Sequence, residues 1–326
     1  MAVSKRVGNE PSDGTPLTCT LPSDIMAERR SQFGERIVTC WMSRVSLLFG
    51  RLSSNVVREC CLFLYGDLQR LLAFQATRVM WFDPSPGLWK DFCPFTSPIN
   101  FEYTALFVSP DQVLVSGKHV HPDTTAFLLN AQGECTLLKS FLVPRCYHGL
   151  AADWRLEVVF AFGGCNDSNP HTEEKLNSIE KLRLPDNPWE LLEPMQHPRS
   201  HFNPCCRYPY VYLAGGGSTA IEVFSQETEK CETLPCALPS DFLEVGCLSV
   251  FCAGLLVVLC RKRLCRVKLS TTELVDSVSH KPVLLLPRCQ PCLRGQVLYT
   301  VDWYLVCRGL SIETGAVSSE ADCPGI

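Results

Sequence analysis

The sequence of 326 residues lacks three features that would assign a function class at once. Its formal net charge is only −4, which gives no field to attract nucleic acid or an anionic membrane. Its first thirty residues lack the apolar core of a secretory signal. The most apolar run, residues 245–260, has sixteen residues and is interrupted by Gly254, which favours two buried strands over a membrane helix. We therefore expect a cytoplasmic protein without nucleic-acid or membrane partners.

Sequence signatures of catalysis and of bound metals are also missing. There is no G-x-S-x-G elbow and no H-E-x-x-H pair, and no Gly-Lys-Ser/Thr follows the glycines at 215–217. The C-x-x-C at 289–292 stands without a second pair of zinc ligands. The 20 cysteines are too sparse for a disulfide scaffold and are interpreted as reduced core residues. We predict that the chain is not an enzyme and holds no metal or cofactor.

Apolar runs of strand type recur along the chain at a nearly constant spacing, which is the signature of a repeat architecture. Residues 158–164 and 210–216 read VVFAFGG and YVYLAGG, and both end on adjacent glycines. After most endings a further strand and then another are predicted, so each repeat is expected to hold about four short strands. The six predicted endings are Gln75, Gly117, Gly163, Gly215, Cys260 and Cys307, which are 42, 46, 52, 45 and 47 residues apart.

Pro-Arg dipeptides at 144–145, 198–199 and 287–288 add a second recurring feature. Together with the glycine doublet, the later apolar strand and a spaced tryptophan, they make residues 158–201 resemble the Kelch repeat family. The resemblance covers roughly residues 70–326 and implies an all-β Kelch-type β-propeller of six blades, each with up to four antiparallel strands. The first repeat shows no innermost strand, so ring closure must borrow one from the C terminus or from residues 36–50.

The resemblance also implies which residues support the fold. Neighbouring backbones crowd near the axis of a propeller, where a residue without Cβ permits close approach and positive φ. The aromatic residue of the repeat fills the space between adjacent blades. The predicted structural residues are Gly163, Gly164, Gly215, Gly216, Trp89 and Trp189.

In Kelch domains the arginines of the Pro-Arg position often lie near the channel mouth on a binding face. A guanidinium group binds carboxylates bidentately, so the resemblance implies a partner protein recognised through an acidic motif. A structural role, in which each arginine satisfies backbone carbonyls, is weighed equally. The predicted partner-binding residues are Arg145, Arg199, Arg288, Tyr147 and His148. We expect a non-catalytic protein–protein interaction module; a propeller enzyme is the weaker alternative.

The chain before the propeller is interpreted in two parts. Residues 1–35 are polar and predicted to be disordered or loosely attached. Residues 36–69 are predicted to form a short helical segment, since 52–64 has apolar residues at helical spacing. That stretch resembles the start of an F-box, which implies a ubiquitin-ligase adaptor as partner and a substrate receptor of a cullin-type ligase as alternative function. The matching residues are Leu52, Val56, Val57, Arg58, Glu59 and Leu64.

About seventy residues precede the propeller, fewer than the roughly 100 of an ordinary domain. Many Kelch proteins carry an N-terminal BTB domain, so a truncated BTB-Kelch form stays open.

Overall fold

The computed structural model describes residues 71–322, apart from 75–77, 84–87, 96–102, 110, 118–124, 154–156, 167–173, 185–186, 244–245, 253, 281, 283–290, 295 and 302–305. All of them belong to the second of two compact units, Leu62–Ile326. The first unit, Met1–Cys61, lies outside the described residues, and so do the predicted disordered segment at 1–35 and the predicted helical segment at 36–69.

The described residues form six antiparallel sheets, which we number as blades 1 to 6. Blade 1 contains β1 (Leu71–Phe74), β2 (Arg78–Asp83) and β3 (Leu88–Pro94). Blade 2 contains β4 (Thr104–Ser109), β5 (Gln112–Ser116), β6 (Ala126–Asn130) and β7 (Cys135–Leu137). Blade 3 contains β8 (Gly149–Asp153), β9 (Val158–Phe162), β10 (Ile179–Arg183) and β11 (Glu190–Leu191).

The second half of the chain repeats the arrangement. Blade 4 contains β12 (Cys205–Arg207), β13 (Tyr210–Ala214), β14 (Ala220–Ser225) and β15 (Lys230–Ala237). A 3-10 helix, Ser240–Leu243, leads to blade 5, with β16 (Leu248–Cys252), β17 (Leu255–Leu259), β18 (Arg263–Lys268) and β19 (Glu273–Ser279). Blade 6 contains β20 (Cys292–Arg294), β21 (Val297–Val301), β22 (Val306–Ser311) and β23 (Val317–Asp322). Within every blade the strands pair in chain order.

Apolar side chains join each blade to the next. Separate buried clusters link blade 1 with blade 2, blade 2 with blade 3, blades 3, 4 and 5 with one another, and blade 5 with blade 6. A fifth cluster closes the ring, because Phe82 and Trp89 of blade 1 share it with Cys292 of blade 6. The ring of Tyr299, also in blade 6, lies 5.5 Å from that of Phe82. The architecture is therefore an all-β propeller of six blades.

Burial explains why the strand runs are so apolar. The second strand of a blade is covered on both faces by neighbouring blades, and all five residues of β9 are buried. The fourth strand is an outer edge, and all three residues of β7 are exposed. A strand buried on both faces gives a continuous apolar run, whereas an outer strand gives a polar or alternating one. The propeller accordingly has its core between blades.

The predicted strand positions are confirmed in five of the six repeats. The endings at Gln75, Gly117, Gly163, Gly215 and Cys260 directly follow β1, β5, β9, β13 and β17. The apolar run at 245–260 holds the two strands β16 and β17, which pair as a hairpin. Among the described residues, no helix is long and apolar enough to cross a membrane.

The sixth predicted ending is wrong. The second strand of blade 6 ends at Val301, and Cys307 lies in the third strand, β22. Two apolar runs, at 297–301 and 303–307, follow each other closely here, and apolar periodicity alone does not choose between them. The pairing of Val297 with Arg294 makes 297–301 the partner of the innermost strand.

The structure tests one of the two predicted sources of the strand that blade 1 lacks. Blade 1 has three strands among the described residues, whereas each of the other blades has four. The last described strand, β23, pairs with β22 and is the outer strand of blade 6, so it does not complete blade 1. Residues 36–50, the other predicted source of a strand, lie outside the described residues.

The glycine doublets lie where a blade is in close contact with the segment that enters the next blade. Gly163 has φ 57°, and a Cβ on it would overlap the backbone oxygen of Arg199, in the segment that enters blade 4. Gly215 has φ 73°, and a Cβ there would overlap the side chain of Cys247, in the segment that enters blade 5. Both the backbone conformation and the space exclude a side chain. The glycine doublet thus allows the segment that enters the next blade to pack directly against the end of the second strand.

This account predicts different costs for two glycine substitutions. Gly163→Ala is expected to lower the free energy of unfolding by about 1–2 kcal/mol for the positive φ and by about a further 1–3 kcal/mol for overpacking. Gly254→Ala is the matched control, because Gly254 has φ 82° but nothing within 4 Å of an added Cβ. Urea denaturation of both variants measures the difference, and equal destabilisation would contradict close packing at Gly163.

Candidate functional site

Two equivalent segments carry most of the predicted site residues. We call residues 144–148 and 198–202 the entry segments, because they lead into β8 and β12. Each lies beside the end of the second strand of a blade, since β8 begins opposite the last residue of β9 and β12 begins opposite Tyr212, two residues before the end of β13. Backbone hydrogen bonds join them across blades, with Gly164 N donating to Arg199 O at 2.8 Å and His201 N donating to Tyr147 O at 2.8 Å. We call this end of the blades the glycine end.

The side chain of Arg145 points inward from the first entry segment and is completely buried. Its Nη1 donates to the carbonyl oxygens of Gly163 at 2.8 Å and Ser178 at 3.2 Å. Its Nη2 lies 2.5 Å from Oε1 of Glu180, a carboxylate that is itself fully buried. Glu180 also accepts hydrogen bonds from two backbone N–H groups, those of Leu142 and Val143. One ion pair therefore ties the entry segment to the doublet and to β10.

Arg199 repeats this arrangement in the second entry segment. Its Nη1 donates to Gly215 O at 2.7 Å, and its Nη2 donates to Ala220 O at 2.7 Å. Its Nε and Nη2 lie 3.1 and 2.9 Å from Oε2 of the buried Glu222. The other oxygen of Glu222 accepts from the backbone N–H of Gln196 at 2.6 Å. Blades 3 and 4 thus contain equivalent buried ion pairs, in which both oxygens of each carboxylate accept hydrogen bonds.

Burial governs the electrostatics of both arginines. Loss of solvent lowers the pKa of Arg145 and of Arg199 below the ordinary value, and the adjacent glutamate opposes that change by favouring the charged form. Neither guanidinium group is exposed. Their predicted role in binding a partner stays a prediction, and it would require each guanidinium to leave a carboxylate of its own chain. Arg288 lies outside the described residues.

The residues that follow Arg145 differ in exposure. His148 is completely buried, with Nε2 2.8 Å from Ser116 Oγ of blade 2 and its ring against that of Phe141. Its Nδ1 has no hydrogen-bond partner among the described residues. Burial, and then the charge of Arg145, lowers the pKa of His148 well below its ordinary value, so the ring is neutral.

Tyr147 is partly exposed and stacks on His201, its equivalent in the next entry segment. The ring centroids are 4.0 Å apart and the planes differ by 18°. Both residues have left-handed backbone, with φ 52° and 53°. Such a conformation is uncommon for residues other than glycine and is concentrated at functional positions. The stacked pair therefore presents two rings to solvent at the junction of blades 3 and 4.

The predicted interblade tryptophans lie within apolar clusters. Trp189 packs with residues of blades 2 and 3, its ring centroid is 4.4 Å from that of Phe141, and its Nε1 donates to Lys139 O at 2.9 Å. Trp89 lies in the cluster shared by blades 1 and 6, with its ring 5.5 Å from that of Phe82.

Three functional features were not identified from the sequence. Glu180 is the second residue of β10 and Glu222 the third residue of β14, each in the third strand of its blade. A charged residue inside an apolar strand is a signal that could have indicated a buried partner. The third feature is His201, whose stacking on Tyr147 depends on the contact between two blades and has no local signal in the sequence. Among the described residues, no group of three or more potential metal ligands occurs.

Comparison of the sequence with protein-family models and with curated proteins gives no match.

The buried ion pairs lead to a stability prediction. Glu180→Ala is expected to lower the free energy of unfolding by about 3–5 kcal/mol, because it leaves the buried charge of Arg145 without a partner. The double variant Arg145→Met with Glu180→Leu should cost less than Glu180→Ala alone, since no charge stays buried. Asp91→Ala, which breaks the exposed pair with Arg78, serves as control and should change stability little. A Glu180→Ala protein as stable as the Asp91→Ala protein would contradict the assignment.

His148 leads to a prediction about pH. Its pKa in the folded state is depressed, so below about pH 6.5 the unfolded chain binds a proton that the folded protein does not. Above that pH His148 is neutral in both the folded and the unfolded state, so it does not make the free energy of unfolding depend on pH. As the pH falls below that value, the free energy of unfolding decreases by up to about 1.4 kcal/mol per pH unit. Denaturation of the wild type and of His148→Gln from pH 7.5 to 5 measures this, with the slope reduced in the variant. Identical slopes in the two proteins would show that His148 is not the group responsible.

Proposed function

We propose that this chain is a non-catalytic protein-interaction module of the Kelch propeller type. The support for the Kelch type is the recurrence of the glycine doublet, the Pro-Arg dipeptide and the spaced tryptophan in the sequence. A six-bladed propeller is a rigid scaffold whose loops gather at its two ends, which is a usual location for recognition. We further propose that the protein acts in the cytoplasm.

The partner binds at the glycine end. The observation that carries this proposal is the stacked pair of Tyr147 and His201, partly exposed and held in left-handed backbone by two adjacent blades. Aromatic side chains are enriched in the centres of protein interfaces, and rigid rings lose little conformational entropy when a partner covers them. The partner presents an acidic motif, and Arg288 is the Pro-Arg arginine proposed to receive it.

The test is affinity purification from cells with the full chain and matched variants. Tyr147→Asn with His201→Asn removes both rings but keeps a residue that tolerates left-handed backbone. Tyr210→Ala is the control, because Tyr210 is 44% exposed and lies at the opposite end of β13. We expect a partner that is lost from the double variant and retained by Tyr210→Ala. Retention by both variants would contradict binding at the glycine end.

Arg288→Ala, analysed in parallel, tests the acidic motif. If the partner is recognised through a carboxylate, we expect the wild type to lose it at high ionic strength and the Arg288→Ala variant not to bind it. Circular dichroism of each variant establishes beforehand that it folds like the wild type. If neither high ionic strength nor Arg288→Ala weakens binding of the partner, the proposal of an acidic motif is contradicted, whereas the proposal of the aromatic site is unaffected.

A second candidate function is a substrate receptor of a cullin-type ubiquitin ligase, favoured by the F-box-like stretch at 52–64. These residues lie outside the described residues. The same purification tests the candidate: a Skp-type adaptor should be captured by the wild type and lost from Val57→Asp. Loss of solubility in that variant would instead indicate that Val57 packs against the fold.

A further inference from the structure

Cys146 and Cys165 face each other beside the first glycine doublet. Their Sγ atoms are 3.4 Å apart, and both residues are completely buried. The two residues form an antiparallel bridge and exchange both backbone hydrogen bonds, Cys146 N to Cys165 O at 3.0 Å and Cys165 N to Cys146 O at 2.9 Å. Directly opposed residues of this kind have Cα atoms about 5.5 Å apart, inside the range of about 4.4–6.8 Å that a disulfide spans.

Blade 4 has no equivalent pair. The equivalent of Cys146 in the second entry segment is Ser200, and the residue after the second doublet is Gly217. In blade 4 the N–H of Ser200 instead donates to Gly216 O at 3.0 Å, so that entry segment contacts the doublet without a thiol at either position. Packing of the propeller does not by itself demand cysteine at 146 and 165.

We propose that Cys146 and Cys165 form a dithiol that hydrogen peroxide converts to a disulfide. In the first step the sulfur of one cysteine attacks peroxide, the O–O bond breaks, and a sulfenic acid and one water form. In the second step the other sulfur attacks the sulfenic sulfur, the S–O bond breaks, and a second water leaves. Two thiols are oxidised by two electrons and one peroxide is reduced to two waters. A thiol reductant returns the disulfide to two thiols by thiol–disulfide exchange and is itself oxidised to a disulfide.

The two steps need little movement. The sulfur atoms must approach from 3.4 Å to about 2.05 Å, the length of an S–S bond. The backbone bridge already fixes the two residues opposite each other. Peroxide is the oxidant class that suits the site, because both thiols are buried and a small neutral molecule reaches them more readily than the disulfide of a larger thiol does. The bond would fix the entry segment on both sides of Cys146, next to Arg145 and Tyr147.

The sequence makes the test unambiguous. Trypsin releases residues 146–155, CYHGLAADWR, and residues 156–175, LEVVFAFGGCNDSNPHTEEK, and each peptide contains one cysteine. The reduced full chain is treated with hydrogen peroxide under native conditions, quenched with an alkylating agent, and digested without reductant. Mass spectrometry should detect the two peptides joined with the loss of two hydrogens. Dithiothreitol before alkylation should return them as separate peptides.

Cys146→Ser and Cys165→Ser are the matched controls, and serine is the residue found at the equivalent position 200. Each should abolish the joined peptide while the other thiols are oxidised as in the wild type. The proposal is overturned if native wild-type protein yields both peptides alkylated while other thiols have reacted. It is also overturned if the joined peptide forms only in urea, or if Cys146 pairs equally with several other cysteines. Because the readout is in the wild type, a variant that fails to fold leaves the result intact.

Discussion

The structure depends on a close approach of backbones at the glycine end, where the second strand of one blade receives the segment that enters the next. At Gly163 and Gly215 neither the space nor the backbone conformation accommodates a side chain. The approach leaves carbonyl groups without a strand partner, and the buried arginines Arg145 and Arg199 donate to them. A buried guanidinium group in turn requires a buried carboxylate, which Glu180 and Glu222 supply. Glycine, arginine and glutamate thus form one unit, repeated in two adjacent blades.

This unit determines what the glycine end presents to solvent. Since the arginines turn inward, the entry segments expose their prolines, Pro144 and Pro198, and part of the rings of Tyr147 and His201. Their left-handed backbone is held by hydrogen bonds that cross from one blade to the next. A surface fixed in this way loses little entropy on binding, which is the physical basis for proposing recognition here. The thiols of Cys146 and Cys165 lie beneath the same surface, one residue from Tyr147 and one from Gly164.

Much of the fold was predictable from the sequence because two constraints are local. The second strand of a blade is buried on both faces, so continuous apolar runs such as VVFAF and LLVVL indicate the strands β9 and β17. Positive φ and close approach select glycine directly after such a strand. The predicted strand ending in blade 6 was wrong because two apolar runs follow each other there. Only the pairing of β21 with β20 shows which run is the second strand. The candidate site was harder to predict, since the partner of Arg145 is Glu180, 35 positions along the chain, and the ring of Tyr147 meets one in another blade. Register and interblade contact carry no local signal.

The most direct test of the central claim is amide hydrogen exchange, measured on peptides that cover the two entry segments. These segments lie outside the regular strands, yet the N–H groups of Cys146, Ser200 and His201 are bonded to neighbouring loops or blades. The account predicts that they exchange about as slowly as the amides of β9 and β13, and more slowly than those of the edge strand β7. Exchange of the entry segments at the rate of exposed loops, with β9 and β13 still protected, would contradict the claim that this junction holds the blades together.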